Sequence, residues 1–236
     1  MSKNPGITAC PPERQDEPFM KKSTRYSTTH LPESQFEPGS NDQVLKNKLG
    51  ITSVSEMNRR EKEEQLRAMD QLTGLFDGNH HFTATDICKM HKIWLGNIYE
   101  WAGKYRQVKM SKGDFSFAFP EQIPKLMTGF EKGPLHDFTP CHFKALDEIA
   151  NALAVVHTEL VLIHPFREGN GRVARMLSIL MALQGGLPPL DFKDMIGKDK
   201  EKYIRAIQIG VGGDYSPMEK VFAAVIRKTL RTREPR

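Results

Sequence analysis

Long apolar runs are missing from this chain. None approaches the roughly 18–20 residues that a membrane-spanning helix needs, and the mean hydropathy is −0.50. The start, Met-Ser-Lys-Asn-Pro-Gly, lacks the apolar stretch of a secretory signal. Cysteine is scarce: Cys10, Cys88 and Cys141 are the three in 236 residues, and no two have CxxC spacing. That argues against a disulfide framework and a structural zinc site, and makes a reducing cytoplasm the expected setting. The eight histidines include no HxH or HExxH pair, which argues against a histidine-built metal site. Internal repeats and extended low-complexity tracts are absent as well. Charge of one sign is nearly balanced. The net charge is +5, and residues 227–236 alone carry five positive and one negative charge, or +4. The remainder is close to neutral, which argues against a broad nucleic-acid-binding face. A solvated helix end is the expected role of the basic stretch.

What is present is enough apolar material for one core, 39% of residues, laid out with helical spacing. Residues 1–40 hold six of the fifteen prolines and few aliphatic side chains. They are expected to form a mobile tail, with an ordered edge near Phe36. Helical patterning starts at Asp42 with Leu45, Leu49 and Ile51. A helix is expected over 53–75, with its run Arg59–Glu64 on the solvated side. Thr85 or Asp86 is expected to cap the next helix, whose buried face is Ile87, Met90, Trp94 and Ile98. Residues 105–119 alternate instead: Val108 and Met110, then Phe115, Phe117 and Phe119, around a turn at Ser111–Asp114. This is the pattern of a small β-hairpin. Pro120 opens a helix through about Phe130. Thr139-Pro140 is expected to start a long core helix carrying Leu146, Ile149, Leu153, Val156, Leu160 and Ile163. Pro165 ends it by forcing His164 out of helical geometry. A second core helix follows the glycines, with Val173, Met176, Leu177 and Leu180 inward and Gly185-Gly186 at its end. Residues 199–230 form two more helices.

The chemistry concentrates in the twelve residues 164–175, His-Pro-Phe-Arg-Glu-Gly-Asn-Gly-Arg-Val-Ala-Arg. Gly169-Asn170-Gly171 precedes a helix, so backbone can approach a ligand closely. The free N–H groups and positive dipole end of that helix start make an anion site suited to phosphate. Arg172 and Arg175, three apart, share one side of the first turn and suit phosphate oxygens. Glu168 adds a carboxylate that would oppose phosphate unless Mg²⁺ intervened, and Mg²⁺ needs only one or two carboxylates beside phosphate oxygens. His164 at the mouth has the right ordinary pKa range for a general base acting on a hydroxyl.

These residues resemble the signature of the Fic family, His-Pro-Phe-x-(Asp/Glu)-Gly-Asn-Gly-Arg-x-x-Arg, and every fixed position matches. Leu45–Gly50, Tyr99–Gly103, the hairpin and Gly213-Asp214-Tyr215 resemble further family landmarks, so the resemblance covers roughly 42–228. It implies an all-α, Fic-fold helical bundle with one small hairpin, the flap. The expected organisation is a tail over 1–40, a Fic domain over 41–228 and a basic tail over 229–236. The implied activity is protein adenylyltransfer (AMPylation), from ATP to a Ser, Thr or Tyr hydroxyl with release of pyrophosphate. By resemblance His164 is the catalytic base, and Glu168 holds Mg²⁺. Gly169, Asn170, Gly171, Arg172 and Arg175 bind the nucleotide phosphates, and Phe166 packs in the core to fix the loop. Lys112, Gly113 and Asp114 at the hairpin tip are expected to dock an extended target segment through main-chain hydrogen bonds.

The alternatives are transfer of another nucleotide, or Doc-like phosphotransfer, although the Doc branch has Lys where Gly171 stands. A non-catalytic nucleotide-binding module is a further rival, opposed by the presence of both His164 and Glu168. A nucleic-acid-binding role rests only on the basic C-terminus, and no direct nucleic-acid binding and no membrane association is expected. Family targets include GTPases and DNA topoisomerase subunits. Many Fic proteins carry an inhibitory Ser/Thr-x-x-x-Glu-Gly/Asn helix. Here the nearest string is Thr52–Met57, which departs at its last position, so Glu56 is expected to be an ordinary helix residue. A separate inhibitory antitoxin protein is then a plausible partner. A cytoplasmic toxin and an effector delivered into a host cell both stay open.

Overall fold

The computed structural model describes residues 31–113 and 115–232. Helices dominate, and one two-stranded hairpin is the only sheet among the described residues. Segment 31–40 lies against the body: Phe36 bridges Leu45, and Glu33 and Ser40 are buried.

Helix α1 (Val54–Leu75) is capped by Ser53, whose side chain accepts from the Glu56 amide. Its buried residues are Met57, Glu61, Glu64, Ala68 and Leu72, at steps of four, three, four and four. The charged run is therefore not all solvated, since two of its glutamates turn inward. Helix α2 (Ala84–Leu95) starts earlier than expected. Thr83 is the cap, and Asp86 closes a capping box from the third helical position. The hairpin strands are β1 (Ser111–Lys112) and β2 (Phe115–Ser116), antiparallel, with Lys112 opposite Phe115. Ser111 and Lys112 thus belong to a strand and not to the turn.

After a 3₁₀ turn at Pro120–Gln122 comes α3 (Ile123–Phe130), whose α-helical stretch ends where expected, although the helical path does not. It continues through a π turn (Glu131–Leu135) into α4 (His136–Phe138). Thr139 does not cap a new helix. Its hydroxyl donates to the Leu135 carbonyl at 2.6 Å and accepts from the Phe82 amide at 3.1 Å, so it serves the preceding helix. The long core helix α5 (Leu146–Ile163) begins instead after Ala145, where the Glu148 carboxylate accepts the Ala145 amide. Then follow α6 (Asn170–Gln184), α7 (Lys193–Ile196), α8 (Lys200–Gly210) and α9 (Ser216–Arg231).

Helix α5 lies at the centre and packs on α6, α8 and α9. A Cβ at Gly210 of α8 would lie 2.4 Å from Thr158 Cγ2, so a glycine there lets α8 approach α5. His157 of α5 ties these layers together. Its ring nitrogens meet Ser178 Oγ of α6 at 3.3 Å and Tyr203 Oη of α8 at 3.1 Å. Burial, followed by the charge of Arg175, pushes the His157 pKa down to about 3. His91 of α2 accepts the Gly103 amide at 2.7 Å and bonds the Glu168 carbonyl at 3.1 Å; burial holds its pKa at about 3 too. Among the described residues, no helix is long and apolar enough to cross a membrane.

Both buried histidines are neutral in the folded protein but take up protons below about pH 6.5 when unfolded. Stability is therefore fully present above that pH and falls as the pH drops from about 6.5 towards 3. Each histidine adds a slope of about 1.4 kcal/mol per pH unit. Thermal unfolding from pH 7 to 4 checks this. His91→Asn or His157→Asn should be less stable at pH 7 and show a shallower fall.

Candidate active site

The site lies where α5 ends and α6 begins. His164 caps α5 in the left-handed region (φ 53, ψ 57). A residue before proline usually turns extended, so the departure from helix was foreseeable but its direction was not. Nδ1 of His164 donates to the Val161 carbonyl at 3.0 Å, which leaves Nε2 with the free lone pair. The Phe117 ring stacks on the imidazole, centroids 3.6 Å apart and 19° from parallel. Burial pushes the His164 pKa down to about 4; the Arg106 and Lys112 charges act the same way, against the Val161 carbonyl and Glu168. The imidazole is thus neutral throughout the physiological range.

Arg106 fixes this corner. It is 1% exposed and donates to three carbonyls: His164 through Nε at 2.7 Å, Val108 at 2.6 Å and Ala118 at 2.7 Å. One guanidinium thus binds the chain on both sides of the hairpin to the end of α5. Glu33, from the segment expected to be tail, accepts the Gln107 amide, and its carbonyl accepts Arg167 Nε at 2.9 Å.

The loop between the helices is plugged by Phe166, fully buried and stacked on His91 with centroids 3.9 Å apart. Asn170 is 3% exposed, and its side-chain amide is spent on the loop. Oδ1 accepts the Phe166 amide and Nδ2 donates to the Phe166 carbonyl, each at 2.8 Å. With the side chain engaged in the loop, the Asn170 group left for a ligand is its backbone N–H at the helix start. Gly169 has φ +82, and a Cβ there would lie 2.6 Å from Trp94 Cζ3. Gly171 needs no unusual dihedral. A Cβ there would point towards Arg175 Nη1 at 3.5 Å and Tyr203 Oη at 4.0 Å, so its bareness keeps space open beside them.

Arg172 donates through Nη1 to Glu61 at 2.5 Å and through Nη2 to Glu168 at 3.2 Å. Its guanidinium lies 4.6 Å from the Trp94 ring centroid. Arg175 and Tyr203 line the same cavity side by side, and burial lowers the Arg175 pKa. Glu168 Oε1 takes both of that carboxylate's protein hydrogen bonds, from the Gly169 amide and Arg172. The other oxygen carries none among the described residues. No group of three or more His, Cys, Asp or Glu that could hold a metal ion occurs among the described residues.

His164, Glu168, Gly169, Asn170, Gly171, Arg172, Arg175 and Lys112 all border one cavity of about 550 Å³. Phe117 and Tyr203 border it too. Gly113 sits at the exposed hairpin tip, away from the cavity lining, and Asp114 lies outside the described residues. Sequence reasoning missed Glu61, Trp94, Arg106, Phe117 and Tyr203 as parts of this site. Only Glu61 left a usable signal: it occupies an inward step of the α1 stripe, where a carboxylate needs a partner.

A helix start, two guanidinium groups and a neutral imidazole around one cavity make an arrangement whose chemistry suits an anionic group such as phosphate. Residues 81–182 match the model of the Fic/DOC family, and the chain carries a Fic/DOC domain. Protein adenylyltransferase VbhT of Bartonella schoenbuchensis is 32% identical over 169 residues, covering 69% of this chain and 33% of that protein. Protein adenylyltransferase fic-1 of Caenorhabditis briggsae is 31% identical over 146 residues, 61% of this chain and 27% of that protein. The chain thus spans only about a quarter to a third of the length of these two relatives. The crystal structure of BepC, a VirB-translocated effector of Bartonella tribocorum with bound AMPPNP, superposes with a TM-score of 0.65. It is 25% identical and covers 83% of this chain and 97% of that one. The helical bundle with a single hairpin is that of the Fic fold.

Two outcomes follow. Gly169→Ala forces a side chain into a left-handed position against Trp94, and should lower stability by about 1–3 kcal/mol, read as a fall in Tm. Phe117→Ala uncovers the imidazole, and the His164 pKa should rise towards 6.5, followed by NMR titration of its ring protons.

Proposed function

We propose that this chain transfers AMP from ATP to a hydroxyl of a target protein. The observation that carries this reading is the free Nε2 of His164 on the same cavity as the α6 start, Arg172 and Arg175. The named activity of the adenylyltransferase relatives, and the AMPPNP bound to BepC, support it. The working unit is residues 41–228, onto which 31–40 pack.

In the reaction, Nε2 of His164 accepts the target's hydroxyl proton as that oxygen attacks the α-phosphorus. The bond from the α-phosphorus to the bridging oxygen breaks, and pyrophosphate leaves. A base held near pKa 4 is already unprotonated when the hydroxyl arrives. The amides of Asn170 and Gly171, at the first two positions of α6, face the developing charge. Arg172 and Arg175 hold the β- and γ-phosphates. Glu168 would hold Mg²⁺ together with phosphate oxygens; its open carboxylate oxygen fits an ion that takes its other ligands from ATP. That ion supplies charge neutralisation at the phosphates. The hairpin, with Lys112 and Gly113 exposed, offers backbone to an extended target segment, independent of its sequence.

Glu56 is exposed at the start of α1, and among the described residues Tyr203 is the side chain set against Arg175. A block at Arg175 would then come from a separate inhibitory protein.

ATP labelled at the α-phosphate, incubated with the protein, Mg²⁺ and a cell lysate, should label a protein band. Label from the γ-phosphate alone would establish phosphotransfer instead. His164→Ala should abolish labelling while ATP binding persists. Labelling that survives this substitution removes His164 from the chemistry.

A further inference from the structure

The strongest unassigned feature is a buried carboxylate on the far side of Arg172. Glu61 lies on α1, 111 residues away in the chain, and is 3% exposed. Both of its oxygens are engaged: Oε1 accepts the Tyr99 hydroxyl at 2.9 Å, and Oε2 accepts Arg172 Nη1. Trp94 reinforces this from a third direction. Its indole N–H donates to the Glu61 carbonyl at 2.8 Å, while its ring lies against the same guanidinium. The indole therefore orders both partners of the pair.

We propose that Glu61 is a positioning residue that holds Arg172 ready for the outer phosphates of the nucleotide, an inference that rests on the ATP reading above. Arginine has five N–H donors in a rigid fork. Glu61 fixes the Nη1 edge from behind, so the Nη2 edge is presented to the cavity. There it meets Glu168 at 3.2 Å, in a pair whose carboxylate is 45% exposed. That outer contact is exchangeable: a phosphate oxygen can replace the carboxylate without disturbing the inner one. A free arginine side chain would lose rotamer entropy on gripping phosphate, whereas one fixed beforehand has already lost it. Glu61 touches no reacting atom and acts only through Arg172.

The test is nucleotide binding by the full chain with Mg²⁺, measured by calorimetry for ATP and for AMP. Glu61→Gln should weaken ATP binding by about tenfold or more and leave AMP binding unchanged, because AMP lacks the outer phosphates. In an Arg172→Gln background the same substitution should have no further effect on ATP. Equal losses for ATP and AMP, or losses that add to those of Arg172→Gln, would mean a purely structural role and overturn the proposal. Tighter ATP binding would overturn it in the opposite sense, making Glu61 an inhibitory contact. Should Glu61→Gln fail to fold, Tyr99→Phe, which frees Oε1 but keeps the charge, should still weaken ATP by a few-fold and spare AMP; no change in ATP binding counts against the proposal. If the unaltered protein binds no ATP at all, the ATP reading itself falls, an outcome distinct from each of these.

Discussion

The end of α5 and the start of α6 face one cavity because a single buried amide closes the loop between them. Asn170 is the first residue of α6, and its side chain binds both backbone groups of Phe166. Without it, a buried N–H and a buried C=O would be stranded, at about 1–3 kcal/mol each. The Phe166 ring is then pinned against His91, whose two nitrogens bind Gly103 and the Glu168 carbonyl. Position of the helix start, direction of Glu168 and placement of His164 all derive from this closure. A loop held by its own side chains does not depend on ligand for its shape.

His164 illustrates how strain and support are matched. A left-handed conformation at a residue with a side chain costs roughly 1–2 kcal/mol. A hydrogen bond from a charged donor contributes about 1.5–3 kcal/mol, and Arg106 gives one to the His164 carbonyl. The support is large enough to offset the strain. The same guanidinium holds Val108 and Ala118, one on each side of the hairpin, so the hairpin and the His164 imidazole are parts of one corner. Phe117, just past β2, completes that corner from above.

The charges at α6 are arranged by depth. Arg172 is paired inward with Glu61 and outward with Glu168, while Arg175 has the neutral Tyr203. Tyr203 is in turn bonded to His157, which burial keeps neutral. The cationic character of the site thus sits on two guanidinium groups, one paired with buried Glu61 and the other set beside Tyr203.

Local chemistry was legible wherever one stretch of chain decides it. The α5 stripe from Ile149 to Ile163, the stop before Pro165, the presence of a hairpin within 105–119 and the twelve-residue loop could all be read directly, because periodicity and punctuation are properties of neighbours. Choices between competing caps could not. Thr139 looked like a helix start, yet its hydroxyl serves Leu135 and Phe82, and the latter is 57 residues away. The Asn170 amide could have pointed at a ligand or at its own loop, and only packing chose the loop. The sequence by itself determined which residues gather at the α5–α6 junction, since that motif is contiguous. Tertiary structure alone decided what stands behind them: Glu61, Trp94, Arg106 and Tyr203 come from four other segments. A buried charge or hydroxyl must find its partner wherever the fold brings one near, and no local pattern records that distance.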